Sequence, residues 1–256
     1  MKKLLSIVLA GVMALSLVAC GGKTSDEKTK LTLATSADFP PYEYIADDKS
    51  FAGIDIEIAA ALAEKLGLEF EVINMDFNSI IASVSSGKYD IGMAGLTVTE
   101  ERLQSVDFTD SFATGVQAVI VKEDSPIKTV DDLYAEGAEY KVGAQISTTG
   151  AIYFADDIAD GKTKCTLNEF KSGADAVAAL TSGKIDCIII DKEPAKNFVA
   201  ANEGLKILDT EYAVEDYAIC VKKGNTELLN KLNTALEELK ADGTIAAIIE
   251  KYIPTK

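Results

Sequence analysis

The segment Ser85-Ser86-Gly87-Lys88-Tyr89-Asp90 recurs 96 residues later as Thr181-Ser182-Gly183-Lys184-Ile185-Asp186. The residues before it match too: Ile80, Ile81, Ala82 and Val84 align with Ala176, Val177, Ala178 and Leu180. An apolar helix stripe, a Gly-Lys turn and a new apolar run therefore occur twice, which points to two halves built alike. In open α/β sheets, ligands sit beyond the carboxyl ends of the strands. The strand ends that follow the two copies are Gly95 and Asp191. Two halves facing each other would turn both residues into one cleft. Ser-Gly-Lys-x-Asp is by itself a common helix-to-strand turn, so the inference rests on the surrounding cadence.

That cadence alternates strand and helix. Residues 31–35 are β-prone. Residues 53–66 carry Ile54, Ile58, Ala61, Leu62 and Leu66 at helical spacing, with Asp55 a candidate N-cap and Gly67 a natural stop. Strand 69–75, helix 78–85 and strand 89–94 follow. The pattern returns as strand 141–145, helix 149–158, strand 165–170, helix 173–181 and strand 185–190. Residues 226–240 and 243–252 read as amphipathic helices. The expected class is α/β with two mostly parallel sheets flanked by helices. At 256 residues, 48% hydrophobic and 26% charged, the chain can bury such cores and is not intrinsically disordered.

Composition removes several function classes. There is no histidine, which excludes Ser-His-Asp and Cys-His nucleophile systems and His-ligated zinc. A net charge of −16 repels phosphate backbones, so nucleic acid is not an expected partner. Cysteines 20, 165, 187 and 220 lack the Cys-x-x-Cys spacing of zinc ribbons and thioredoxin-type sites. Cys187 and Cys220 lie in apolar runs and read as buried free thiols. A Cys165–Cys187 bridge is the alternative.

The N-terminus reads as an address. Lys2 and Lys3 precede an apolar run ending Leu17-Val18-Ala19-Cys20-Gly21-Gly22. Residues 1–19 are expected to be a signal peptide. A small residue before cysteine, directly after the apolar run, resembles the lipobox of bacterial lipoproteins. That resemblance implies that Cys20 carries acyl chains (palmitate or similar) and becomes the first mature residue. Residues 20–30 are then a polar, lipidated tether.

Some residues carry recognition chemistry. Gly95 allows close backbone approach, Thr97 offers a hydroxyl, and Arg102 offers a planar fork suited to a carboxylate. Thr99 and Arg102 also read as a helix N-cap and a solvated helix residue. Phe39, in Phe39-Pro40-Pro41-Tyr42, and Phe77 follow strands and read either as core or as stacking surfaces. Asp191 ends an apolar run, where its carboxylate either meets a ligand ammonium or caps the next helix.

At this level of detail the chain resembles the polar amino-acid-binding proteins of bacterial ABC importers, the group that includes glutamine-, histidine- and lysine/arginine/ornithine-binding proteins. The similarity runs from about residue 31 to 252. It rests on Phe39-Pro40-Pro41-Tyr42-Glu43, Gly53-Ile54-Asp55-Ile56-Glu57, Met75-Asp76-Phe77, Gly95-Leu96-Thr97-Val98-Thr99-Glu100-Glu101-Arg102, Val106-Asp107-Phe108-Thr109, and Gly183-Lys184-Ile185-Asp186 with Asp191. The resemblance implies a two-lobed periplasmic-binding-protein fold of type II with a two-strand hinge. Lobe one would take 31–113 plus 218–256, and lobe two 114–217, with crossings near 111–116 and 214–218. It implies that Arg102, Gly95, Thr97 and Thr149 hold an α-carboxylate, that Asp191 and the Gly95 carbonyl hold an α-ammonium, and that Phe39 and Phe77 sandwich the side chain.

This chain departs from the family at three positions. Ser36 stands where several members carry an acid, Gln145 where the glutamine binder has lysine, and Ser147 where glycine is common, which affects the transfer of Thr149. A pocket of Ser36, Phe39, Phe77 and Gln145 suits a neutral polar side chain, and a guanidinium between two phenylalanines is the other option. The resemblance implies a monomer without cofactor or metal. It would be lipid-anchored outside the cytoplasm, at a cell surface or in a periplasm, and would deliver an amino acid to a membrane permease. The same fold also serves enzymes of the cyclohexadienyl dehydratase type, for which Glu193 is the acid to examine.

Overall fold

The computed structural model describes residues 29–254. The expected signal peptide, Cys20 with its expected acylation, and nearly all of the expected tether lie outside these residues. Two lobes each carry a sheet. The first runs Glu69–Asn74, Lys30–Thr35, Ile91–Gly92, Cys220–Lys222, Val106–Phe108. The second runs Thr166–Phe170, Lys141–Gln145, Cys187–Asp191, Ala113–Lys122, Leu205–Ile207, with Ala213–Tyr217 also pairing to Ala113–Lys122. In each, the first three strands are parallel and the remainder pair antiparallel.

The recurring segment has the same job in both lobes. The helices Ile80–Ser85 and Gly173–Thr181 end at turns where Gly87 (φ 76°) and Gly183 (φ 72°) adopt the left-handed conformation. Asp90 then accepts the Thr32 N–H at 2.8 Å, and Asp186 accepts the Lys141 N–H at 2.7 Å. Each aspartate thus ties its chain to the neighbouring parallel strand and sets the register. The strand after the first copy is only Ile91–Gly92, shorter than the expected 89–94: Tyr89 and Asp90 are spent on this turn, and the ladder ends before Met93 and Ala94. Residues Phe77–Ser79 form a 3-10 turn before the helix Ile80–Ser85, rather than one helix from residue 78.

The helix Ile54–Lys65 is N-capped by Gly53, not by Asp55. It packs against the C-terminal helices Thr226–Ala241 and Thr244–Tyr252. The chain passes between the sheets on two strands: Ala113 pairs with Tyr217, and the ladder continues to Gln117 opposite Ala213. The lobes also meet through Arg102 to the Ser147 carbonyl (3.0 Å), Asn197 to the Pro40 carbonyl (3.1 Å) and an exposed Lys171–Asp76 pair (3.5 Å). Cys165, Cys187 and Cys220 are buried and free, so the Cys165–Cys187 bridge does not form.

Candidate functional site

The strand ends of both lobes converge on one cavity. Its walls include Ser36, Phe39, Phe77, Gly95, Thr97, Arg102, Thr149 and Asp191, the eight residues expected to bind the ligand, but neither Ser147 nor Glu193. Asp38, Glu43 and Gln145 join them. Ser36 donates to Asp38 (3.1 Å), and Gln145 donates to the Lys171 carbonyl (3.0 Å).

Arg102 sits in the short helix Glu100–Ser105, whose N-cap Thr99 accepts the Arg102 N–H. Its side chain is not a solvated helix residue: only 7% of Arg102 is exposed. One terminal nitrogen donates to the Thr97 carbonyl at 2.7 Å, the other to the Ser147 carbonyl at 3.0 Å. The guanidinium lies 5.7 Å from the centre of the Phe77 ring. Two of five N–H donors are thereby used, leaving three for an anion. Burial lowers its pKa, opposed by the charge of Glu215. Ser147 takes a left-handed conformation (φ 64°), the one a glycine would adopt freely, and so aims its carbonyl at Arg102.

Asp191 occupies the N-cap position of the helix Lys192–Ala201 but makes no cap bond. One oxygen accepts from Gln117 at 2.8 Å, while the other is buried without a hydrogen-bond partner. Burial, reinforced by the Glu215 charge, pushes the Asp191 carboxyl up to about 8. A carboxyl in this state ionises when a cation pairs with it.

Glu215 is the centre of a buried polar network that the sequence reading missed. One of its oxygens accepts from Thr97 Oγ1 (3.0 Å), Thr149 Oγ1 (2.9 Å) and Gln117 Nε2 (3.2 Å). The signal available in the sequence was weak. Glu215 shares a face of its strand with Tyr217, which is fully buried, two residues on.

Asp55 was also misjudged. It lies in the first helical turn, is fully buried, and accepts the Gly95 N–H at 2.9 Å, holding the loop in which Gly95 has φ 54°. Burial pushes it up to about 7. Beside it, Glu43 is 1% exposed, and its carboxyl has the Asp55 carboxyl as a hydrogen-bond partner. Burial and the neighbouring Asp55 charge push Glu43 well above the usual carboxyl range.

The family model for bacterial extracellular solute-binding proteins, family 3, matches residues 31–255. The arginine-binding extracellular protein ArtP of Bacillus subtilis is 34% identical over 98% of both chains. An ancestral arginine-binding protein, solved with arginine, superposes with a TM-score of 0.81 at 38% identity, covering 88% of this chain and 99% of that one. An ancestral arginine-binding protein solved with glutamine gives 0.80, also at 38% identity, covering 89% and 99%. Fold, cleft and sequence agree: the chain belongs to the bacterial extracellular solute-binding proteins, family 3.

Proposed function

We propose that this protein captures a free α-amino acid with a cationic side chain, arginine first among them, and hands it to the permease of an ABC importer. One observation carries the choice of charge. Four carboxyl groups, Glu43, Asp55, Asp191 and Glu215, are each at most 6% exposed around the cavity, against one buried guanidinium, Arg102. Burial holds protons on Asp191, Asp55 and Glu43, and an arginine zwitterion brings one cation more than a neutral zwitterion, against which a further carboxyl can ionise. Arg102 and the backbone at Thr97 and Thr149 are assigned the α-carboxylate, with Thr149 opening the helix Thr149–Ala159. Asp191 and the Gly95 carbonyl are assigned the α-ammonium, and Phe39 and Phe77 the side chain. Glu43, with Ser36 and Asp38 nearby, is assigned the distal cation. This revises the neutral side chain that Ser36, Phe39, Phe77 and Gln145 suggested alone.

The arginine binders among the relatives support this reading. It includes a monomer that releases its ligand unchanged. Its lobes are 31–113 plus 218–256 and 114–217, a division supported by the C-terminal helices packing on the first lobe. It also includes cleavage before Cys20 and lipid anchoring there, supported by Leu17-Val18-Ala19-Cys20 and the polar segment after it.

A thermal-shift panel of residues 26–256, refolded to strip carried-over ligand, tests the assignment against the twenty amino acids, ornithine, citrulline and cystine. A ligand at a thousand times its Kd adds about 4 kcal/mol, which moves Tm by roughly 8–16 °C at this size. Arginine is expected among the hits, with the shift lost in Arg102→Ala and Asp191→Ala. A panel led by neutral amino acids overturns the charge argument, and a panel without hits overturns the amino-acid reading.

A further inference from the structure

The two hydroxyls that the family resemblance assigns to the ligand carboxylate are already committed in this chain. Thr97 Oγ1 and Thr149 Oγ1 both point at Glu215, at 3.0 and 2.9 Å. A hydroxyl carries one proton, so a threonine donating to Glu215 cannot also donate to a ligand carboxylate. The two threonines stand on opposite lobes. Thr97 follows the strand Ile91–Gly92 of the first sheet, and Thr149 opens a helix of the second lobe. Glu215 lies between them on Ala213–Tyr217, one of the two crossing strands, with Gln117 of the other crossing strand as its third donor. All four residues are buried, with at most 6% of any one exposed. Arg102 and Tyr153, one from each lobe, face the same carboxylate.

We propose that Glu215 is an inter-lobe latch: its carboxylate clasps one hydroxyl from each lobe, so Thr97 and Thr149 set lobe closure through Glu215 rather than bind the ligand by their hydroxyls. The latch strengthens affinity by favouring the closed arrangement, in which both walls of the site are present. Its partners exist together only when the lobes have come together, so each bond to Glu215 counts toward closure. Gln117 joins the latch to the ligand site, since the same amide nitrogen donates to Asp191. Glu215 is thus a positioning residue that acts through Thr97, Thr149 and Gln117.

The inference rests on a ligand held between the lobes. Its test separates that reading from the latch with a double-mutant cycle and a ligand-independent arm. L-Arginine affinity is measured by calorimetry for wild type, Glu215→Ala, Thr149→Val and the double variant. Loss of a hydrogen bond to a buried charge is expected to weaken binding about tenfold or more in each single variant. With a shared latch, the double variant is no weaker than the worse single one. Independent action, with the two losses multiplying, overturns the proposal. Thr149→Ser, which keeps the hydroxyl, is expected to bind within about threefold of wild type. Glu215→Gln keeps the shape and one carbonyl acceptor, and its affinity is expected to fall between wild type and Glu215→Ala.

Small-angle scattering without added amino acid is the second arm. Glu215→Ala and Glu215→Gln are expected to increase the radius of gyration. Unchanged scattering in both overturns the latch. If wild type does not bind L-arginine, the arginine assignment above fails, and the scattering arm alone still decides the latch.

Discussion

Single side chains carry the charge logic of the cleft. Glu43 is the sharpest case, because it lines the cavity, is buried, and shares a hydrogen bond with the Asp55 carboxyl. Glu43→Gln removes the ionisable carboxyl, and so the charge it would present to a ligand cation, with little change in shape. Arginine affinity is expected to fall about tenfold or more, because a buried charge-assisted bond is worth about 1.5–3 kcal/mol. Binding of any neutral amino acid should be unchanged or better. Calorimetry with arginine and glutamine side by side checks this, and an equal loss for both would show that Glu43 acts on the fold rather than on the ligand. Gly115 is a steric counterpart on a crossing strand. A Cβ there would stand 2.1 Å from the ring and hydroxyl oxygen of fully buried Tyr217. Gly115→Ala is expected to cost about 1–3 kcal/mol through overpacking, read as a lower denaturant midpoint.

At the scale of elements, the duplicated turn is the device that places the site. Each copy ends a helix with a left-handed glycine and spends an aspartate on the N–H of the neighbouring strand. The two copies are not equally buried. Asp90 is half-buried and takes both the N–H and the hydroxyl of Thr32, whereas Asp186 is exposed and takes one N–H from Lys141. Asp90→Ala is therefore expected to cost about 1–3 kcal/mol and Asp186→Ala under about 1 kcal/mol. Urea unfolding of the two variants checks the order, and a larger loss in Asp186→Ala contradicts this account. The crossing strands have a different logic. They satisfy each other's backbone groups between the lobes, so the chain connection there is ordered.

The whole molecule responds to pH through its buried acids. Asp191, Asp55 and Glu43 all hold protons in the folded state at pH values where an unfolded carboxyl, near about 4, is ionised. Between about pH 4 and pH 8 the folded state therefore binds more protons than the unfolded chain, and stability from these groups falls as pH rises through that window. Half-buried acids with lowered pKa, such as Glu57 and Asp157, act below it. The protein alone is thus expected to melt higher at pH 5 than at pH 8. Binding has the opposite sign. A ligand ammonium pairs with ionised Asp191, so below about pH 8 binding must expel its proton, and affinity should rise with pH by up to about tenfold per unit. Calorimetry at pH 6.5 in two buffers of different ionisation enthalpy reports that proton. No proton release would contradict the pairing.

Local patterning was enough to read the alternation of elements. The helix Gly173–Thr181 and the strand Lys141–Gln145 start and stop where spacing and turn residues place them. The doubled turn also made two halves legible, and with them Gly95 and Asp191 at corresponding strand ends. These features depend on contacts a few residues apart along the chain. Glu215, Gln117 and the role of Asp55 were not legible, because their partners lie 40 to 118 residues away. A glutamate in a strand or an aspartate in a first helical turn has an ordinary surface explanation until burial is known. Only the packing of two lobes around one cavity removes water from these carboxyls, leaves them outnumbering the single arginine, and turns them into demands for a cation.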